Sequence, residues 1–180
     1  MRFLRFLGRL LVVLIGLAIV LAVVSIFLPR EVTVTRSILI DAPPEDVFPH
    51  VDSLQRVEQW SPWAGIDPEM TVSFSGPDSG VGNRMDWTSA DPRVGSGSQE
   101  ITVSVPNERV ETALDFGDMG QATAWLDLGT AAGGTEVTWG LSADMGLNPV
   151  GRYMGLMMDR WVGADYERGL ERLKEIVESE

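Results

Sequence analysis

The chain's 180 residues allow one ordinary domain with an appendage and leave no room for two full domains. Fourteen basic residues stand against 26 acidic ones, a formal net charge of −12, and an acidic body of that kind repels phosphate backbones, which argues against nucleic acid as a partner. The absence of Cys excludes disulfides, thiolate metal sites and a cysteine nucleophile.

The charge is unevenly spread. Arg2, Arg5 and Arg9 lie in the first 29 residues, which carry no acid, so residues 30–180 hold 11 basic and 26 acidic residues. After Arg9, Leu10–Leu28 reads LLVVLIGLAIVLAVVSIFL, nineteen residues without a charge. At 1.5 Å per residue this is a helix of roughly 29 Å, matching the hydrocarbon thickness of a bilayer. The run is longer than the apolar core of a signal peptide, and cutting after Ala22 would leave VVSIFL at the new terminus. Residues 1–29 therefore read as an uncleaved transmembrane anchor and 30–180 as the domain it carries. Three arginines and the amino terminus precede the span and only Arg30 and Arg36 follow it closely, which predicts a cytoplasmic N-terminus and an extracytoplasmic domain.

After Pro29-Arg30, residues 32–40 alternate as a strand, with Val34, Ile38 and Ile40 on one face and Arg36 interrupting that face, as at an edge or a bulge. Pro43-Pro44-Glu45-Asp46 then sets proline and acids at the first turn of a helix. Val47, Phe48, Val51, Leu54, Val57 and Trp60 continue it at helical spacing. Pro49 inside the stretch predicts two short helices or one kinked one, ending at Pro62.

From Met70 to Met145, turn signals such as Gly76-Pro77-Asp78, Pro106-Asn107 and Gly133-Gly134 separate six predicted strands, at about 70–75, 83–89, 98–105, 109–116, 121–130 and 135–144. Their alternation assigns a dry face to Val72, Phe74, Met85, Trp87, Ile101, Val103, Val105, Val110, Leu114 and Phe116, then on through Leu126, Val137 and Trp139 to Ala143. A wet face takes Asp86, Glu100, Thr102, Ser104, Glu111, Asp115 and Asp127. Trp125 alone breaks the rule by sitting on the wet side. Asn148-Pro149 opens a last helix over about 149–178, with Val150, Met154, Met157, Met158, Trp161, Val162, Tyr166, Leu170, Leu173, Ile176 and Val177 in a single 3.6-residue stripe. Such a helix must pack on something long and apolar, and the dry face of the sheet is the candidate.

This order, with IDAPPEDVFPHV at 40–51, WSPW at 60–63, GPDSGVGNRMDW at 76–87 and DYERGLERLKEI at 165–176, resembles the SRPBCC superfamily of START and polyketide cyclase/dehydrase-like helix-grip domains. The resemblance implies an α+β fold in which a curved antiparallel sheet of about seven strands grips the long C-terminal helix. It also implies an apolar cavity between them that takes lipids, quinones or polyketide-like molecules, in some members with enzymatic activity.

The residues themselves offer little chemistry. Acids fall on the wet face, the lone His50 sits between Pro49 and Val51 on an early helix, and Asp165 has Arg168 and Arg172 within helical reach. Gly80-Val-Gly82 lacks the Lys and the following helix of a phosphate loop and reads as a turn. No ligand set for a metal is visible, and neither a cofactor nor a catalytic residue is expected. What remains is adaptable apolar surface. The expected ligand pocket is lined by Trp63, Met85, Trp87, Val103, Leu114, Phe116, Trp139, Met154, Met158 and Trp161, with Trp60 as a plug at the rim. The expected function is a membrane-anchored binder of a hydrophobic small molecule. A cyclase/dehydrase-type enzyme, and an interaction module with a filled core, are the alternatives.

Overall fold

The computed structural model describes residues 2–180, with side chains from Phe6 onward, so the side chains of Arg2 and Arg5 lie outside the described residues. Helix α1 (Arg2–Ser25) comes first, and its stretch Phe6–Ser25 is long and apolar enough to cross a membrane. Strand β1 (Glu31–Ile40), helices α2 (Pro44–Val51) and α3 (Leu54–Trp60), and strands β2 (Thr71–Ser75), β3 (Arg84–Thr88), β4 (Ser96–Val105), β5 (Arg109–Asp115), β6 (Gln121–Ala131) and β7 (Gly134–Asp144) follow. Helix α4 (Pro149–Glu178) closes the chain. The seven strands form one curved antiparallel sheet in the order β1-β7-β6-β5-β4-β3-β2, and with α4 they make the helix-grip α+β fold.

Local chemistry explains the breaks. Pro44 starts α2 with Glu45 and Asp46 in its first turn. Pro49 lies inside α2, where it forgoes the bond to the Glu45 carbonyl, and the eight-residue helix ends two residues beyond it at Val51. The division between the two short helices falls instead at Asp52-Ser53. There the side-chain oxygen of the fully buried Asn83 accepts from Leu54 N at 2.8 Å, satisfying one of the free amides of α3. Asn83 also donates to Pro77 O at 2.7 Å, so the Gly80–Asn83 segment is a turn that caps α3. At Gly76, φ is +81° and a Cβ would collide with Gly82 O, which only glycine avoids.

Three face assignments are corrected by a β-bulge in β4. Register shifts between Ile101 and Val103: Ile101 pairs with Thr112, but Val103 pairs with Glu111 and Ser104 with Val110. Directly opposed residues share a face, so the extra residue moves Val103 and Val105 to the outer face and turns Ser104 inward. Arg36 lies on an edge strand whose register to β7 runs unbroken, and there is no bulge at that position.

The core lies between the inner face of β1, β7 and β6, helices α2 and α3, and the C-terminal half of α4. Ile40, Val47, Val51, Leu54, Trp60, Val137, Leu170 and Leu173 are its most buried members.

Candidate functional site

The inner face of the sheet divides in two. Over β1 and β7 it is covered by α4 and closed by an aromatic cluster. Trp139 stacks on Tyr166 with centroids 3.8 Å apart, Trp60 meets Trp139 edge-on at 5.0 Å, and Trp63 meets both Trp139 and Tyr166 edge-on at 6.1 and 6.3 Å. Such edge-to-face geometry packs rings without voids. Trp60 is fully buried and donates its indole N–H to His50 O at 3.0 Å. The ring that carries the cluster, Trp139, is therefore packed on several sides, and a Cβ on Gly169 would meet it at 2.7 Å.

Toward β2 the cover stops. Met85 pairs across the strands with Gln99 and Gln99 with Leu114, while Val72 pairs with Trp87, all on the inner face. Trp87 and Phe116 meet edge-on at 6.0 Å, both half-buried, and Phe74 beside them is exposed. This is an apolar shelf rather than an enclosed chamber.

Helix α4 is divided in the same way. In its C-terminal half, Tyr166, Leu170, Leu173 and Val177 are buried. Arg172 donates to Ser61 O at 2.9 Å, Lys174 to Leu39 O at 2.9 Å, and Glu178 accepts from Asp41 N at 2.8 Å. In its N-terminal half the buried face is made of Arg152, Gly155 and Gly163. A Cβ on Gly155 would meet Val32 at 2.8 Å, and one on Gly163 would strike the Arg36 guanidinium, so both glycines let β1 approach closely. Arg36 crosses the helix there, donating to Asp159 at 2.9 Å and Glu167 at 2.7 Å. With about 100° per residue, Val150, Met154, Met157 and Trp161 fall on the side away from those glycines. They are 44–65% exposed.

The ten candidate residues thus separate. Trp63, Met85, Trp139 and Met158 gather around the common core, with Trp139 buried and the other three partly so. Trp87, Leu114 and Phe116 lie on the open shelf. Met154 and Trp161 stand exposed on α4. Val103 is removed from the set by the bulge. Trp125, on the outer face, lies over Gly140 with the Arg109 guanidinium 5.7 Å from its ring, a packed and half-buried arrangement.

Two ionisable groups near the short helices are at least partly buried without being part of the strand alternation. Burial raises the Glu58 carboxyl above its ordinary range, and no hydrogen bond or ion pair engages it among the described residues. Burial likewise raises Asp52, with a smaller opposing effect from Ser104 Oγ, which donates to it at 2.7 Å. Ser104 reaches Asp52 only because the bulge turned it inward. The signal for Glu58 was its place between Val57 and Trp60, two core residues of one short helix. Burial also pushes the Tyr166 phenol up, and its hydroxyl has no hydrogen-bond partner among the described residues. His50 is buried with Nε2 at 3.3 Å from Glu180 and Nδ1 unpaired, while Asp165 pairs with Arg168. No group of three or more His, Asp or Glu among the described residues could hold a metal.

Concavities lie elsewhere. A depression of about 500 Å³ opens on the outer face, with Glu31, Arg84, Glu100, Asp115 and Asp144 in its wall, and of the ten candidates only Leu114 borders it. A second, of about 230 Å³, lies where β1 meets the start of α4, beside Arg152, Gly155 and Leu156.

A curved sheet gripping a C-terminal helix, with an apolar inner face, defines a helix-grip domain. The chain belongs to the family described as polyketide cyclase / dehydrase and lipid transport, whose profile matches residues 31–178. No curated protein matches the chain. Among solved structures, it resembles a protein from Chromobacterium violaceum at 19% identity, covering 81% of this chain and 96% of that one with a TM-score of 0.53. An uncharacterized protein from Rhizobium leguminosarum matches at 18% identity over 83% of this chain and 96% of the other, with a TM-score of 0.56. The di-domain ARO/CYC StfQ of the steffimycin biosynthetic pathway matches at 10% identity, over 83% of this chain and 51% of its own length, with a TM-score of 0.61. At these identities the likeness concerns the fold.

Proposed function

We propose that the protein is a single-pass, membrane-anchored binding domain that holds a hydrophobic small molecule, a lipid, quinone or polyketide-like compound, on the inner face of its sheet. The observation that carries this reading is the uncovered apolar shelf of Trp87, Leu114 and Phe116, which leaves large side chains half-exposed on the face that the fold otherwise buries. The family's lipid-transport members support the ligand class. In this reading residues 1–29 are the anchor, the N-terminus is cytoplasmic and the domain extracytoplasmic. Retention of α1 is supported by side chains of the domain that bind its last turns: Arg152 donates to Ser25 O at 2.9 Å and Ile26 O at 3.0 Å, and Tyr153 donates to Leu21 O at 3.0 Å.

Native mass spectrometry of the full chain, released from gently prepared nanodiscs, tests the binding. The expected result is a stoichiometric apolar adduct that survives removal of bulk lipid. A clean unliganded mass, with no uptake from a mixture of lipids and quinones, would move the reading to an interaction module. A reporter fused after Glu180 that is active only in the cytoplasm would contradict the orientation.

A second reading, a cyclase/dehydrase-type enzyme, is favoured by the carboxyls of Glu58 and Asp52, which burial raises above the ordinary carboxylate range and which would serve as acid or base. Turnover of a polyketide-like substrate lost in Glu58→Gln would establish it, and turnover unaffected by both Glu58→Gln and Asp52→Asn would remove it.

A further inference from the structure

We propose that the exposed face of the first half of α4 is itself a membrane-contact surface, lying in the headgroup region of the bilayer that α1 crosses. The inference rests on α1 being a retained span and goes beyond it, because a tether alone would leave the domain free above the surface.

The geometry of the junction carries the argument. Tyr153 Oη reaches Leu21 O, a carbonyl about one turn, roughly 6 Å, inside the end of α1. The Arg152 guanidinium, itself buried, donates to Ser25 O and Ile26 O and also to Gly146 O, so it caps the carbonyl end of α1 while holding the loop that leads into α4. Met145 N donates to Arg30 O at 2.8 Å, and the Arg30 side chain pairs with Asp144, which ties the same corner a third time. A helix that hydrogen-bonds the penultimate turn of a span stands level with that turn. Val150, Met154 and Met157 lie within about one turn of Tyr153 and cannot be carried far from the interface.

The side chains suit that place. Phe27, Leu147, Val150, Met154, Met157 and Trp161 are exposed, the first just past the end of α1 and the others in the loop into α4 and its first half. Tyr153 and Trp161 are the residue types that favour the boundary between headgroups and acyl chains. Charge agrees. Although residues 30–180 hold 26 acids, residues 145–164 contain one, Asp159, and it is paired with Arg36. Arg160 flanks the stripe, exposed, where a long cationic side chain reaches phosphate. The acidic remainder of the domain would be repelled by anionic headgroups, so this is the face that a bilayer tolerates.

Because the chain has no Cys, single cysteines at Val150, Met157, Ile15 and Glu136 can each carry a fluorophore in the full chain reconstituted into phosphatidylcholine vesicles. Some vesicles bear a nitroxide lipid quencher near the headgroup and others one deep in the acyl chain. The expected result is deep quenching of the label at 15, shallow quenching at 150 and 157, and no quenching at 136. If the label at 15 is quenched while those at 150 and 157 behave like the one at 136, the anchor stands and the contact surface does not exist. Energy transfer between copies through 150 and 157 without lipid quenching would assign the face to a second copy of the chain and overturn the proposal. An unquenched label at 15 would remove the anchor and the proposal with it.

Discussion

The two halves of α4 carry the same apolar period and meet opposite fates. Tyr166 and Leu170 in the second half are each 1% exposed, whereas Met154 and Trp161 in the first are 53% and 49% exposed. The cause lies on the other side of the helix. In the second half the apolar residues are also those that face the core, and Arg172, Lys174 and Glu178 fasten that arrangement to neighbouring backbone. In the first half Gly155 and Gly163 face β1 and Arg36 threads between helix and strand, so the close approach is made by the small residues. A stripe read from periodicity identifies an amphipathic helix, but the glycines choose which face is buried.

That contrast can be broken by mutation. The largest effect is expected in the buried half: Leu170→Ala should cost about 3 kcal/mol in thermal or denaturant unfolding of the full chain in detergent, while Met157→Ala should change stability by no more than about 0.5 kcal/mol. Equal losses would erase the distinction. Arg152→Ala should cost about 2 kcal/mol at the junction, because buried carbonyls lose a charged donor. It should appear as faster amide exchange at Ile26–Leu28 with β7 unchanged. Gly169→Ala should destabilise by about 1 kcal/mol or more despite alanine's better helix propensity, since its Cβ meets the rigid Trp139 ring and Pro62.

The smallest effects concern titration. The raised carboxyl of Glu58 holds its proton more tightly in the folded chain than in the unfolded one. Stability should therefore be highest below the unfolded-state value near 4.5 and fall as pH rises through the folded one. Glu58→Gln should flatten that slope and gain up to about 0.5 kcal/mol at neutral pH. Asp144 runs the other way. Its hydrogen bonds from Arg30 lower it to about 2, so its contribution to the junction is present above 3.8 and lost as pH falls toward 2. Asp144→Asn should abolish that acid-side loss, measured by exchange at the same junction amides.

Much of this fold is legible in the sequence. Strand alternation, the proline and glycine punctuation and the Asn148-Pro149 start place the seven strands and helices α2, α3 and α4, because each is a local signal with a local cause. The bulge at residues 101–103 is not local. It inserts one residue into an otherwise regular apolar alternation, and only pairing with β5 reveals that Val103 has turned outward and Ser104 inward. The site is less legible for a related reason. Trp139 and Tyr166 carry the composition of a ligand pocket, but their stacking on each other makes a filled core, whereas Trp87 and Phe116, of the same chemistry, remain half-open. Glu58 was hidden because an acid on a short helix leaves no mark on strand periodicity.

The central claim, that the open part of the inner face holds a hydrophobic molecule, is tested most directly by titrating a fluorescent fatty acid into the wild-type chain and two variants in nanodiscs. Phe116→Asp places a charge on the shelf, and Val103→Asp places one on the outer face a bulge away. The account predicts that binding is lost in Phe116→Asp and kept in Val103→Asp, with both variants folded by circular dichroism. Binding that is unchanged in both, or lost equally in both, would contradict it.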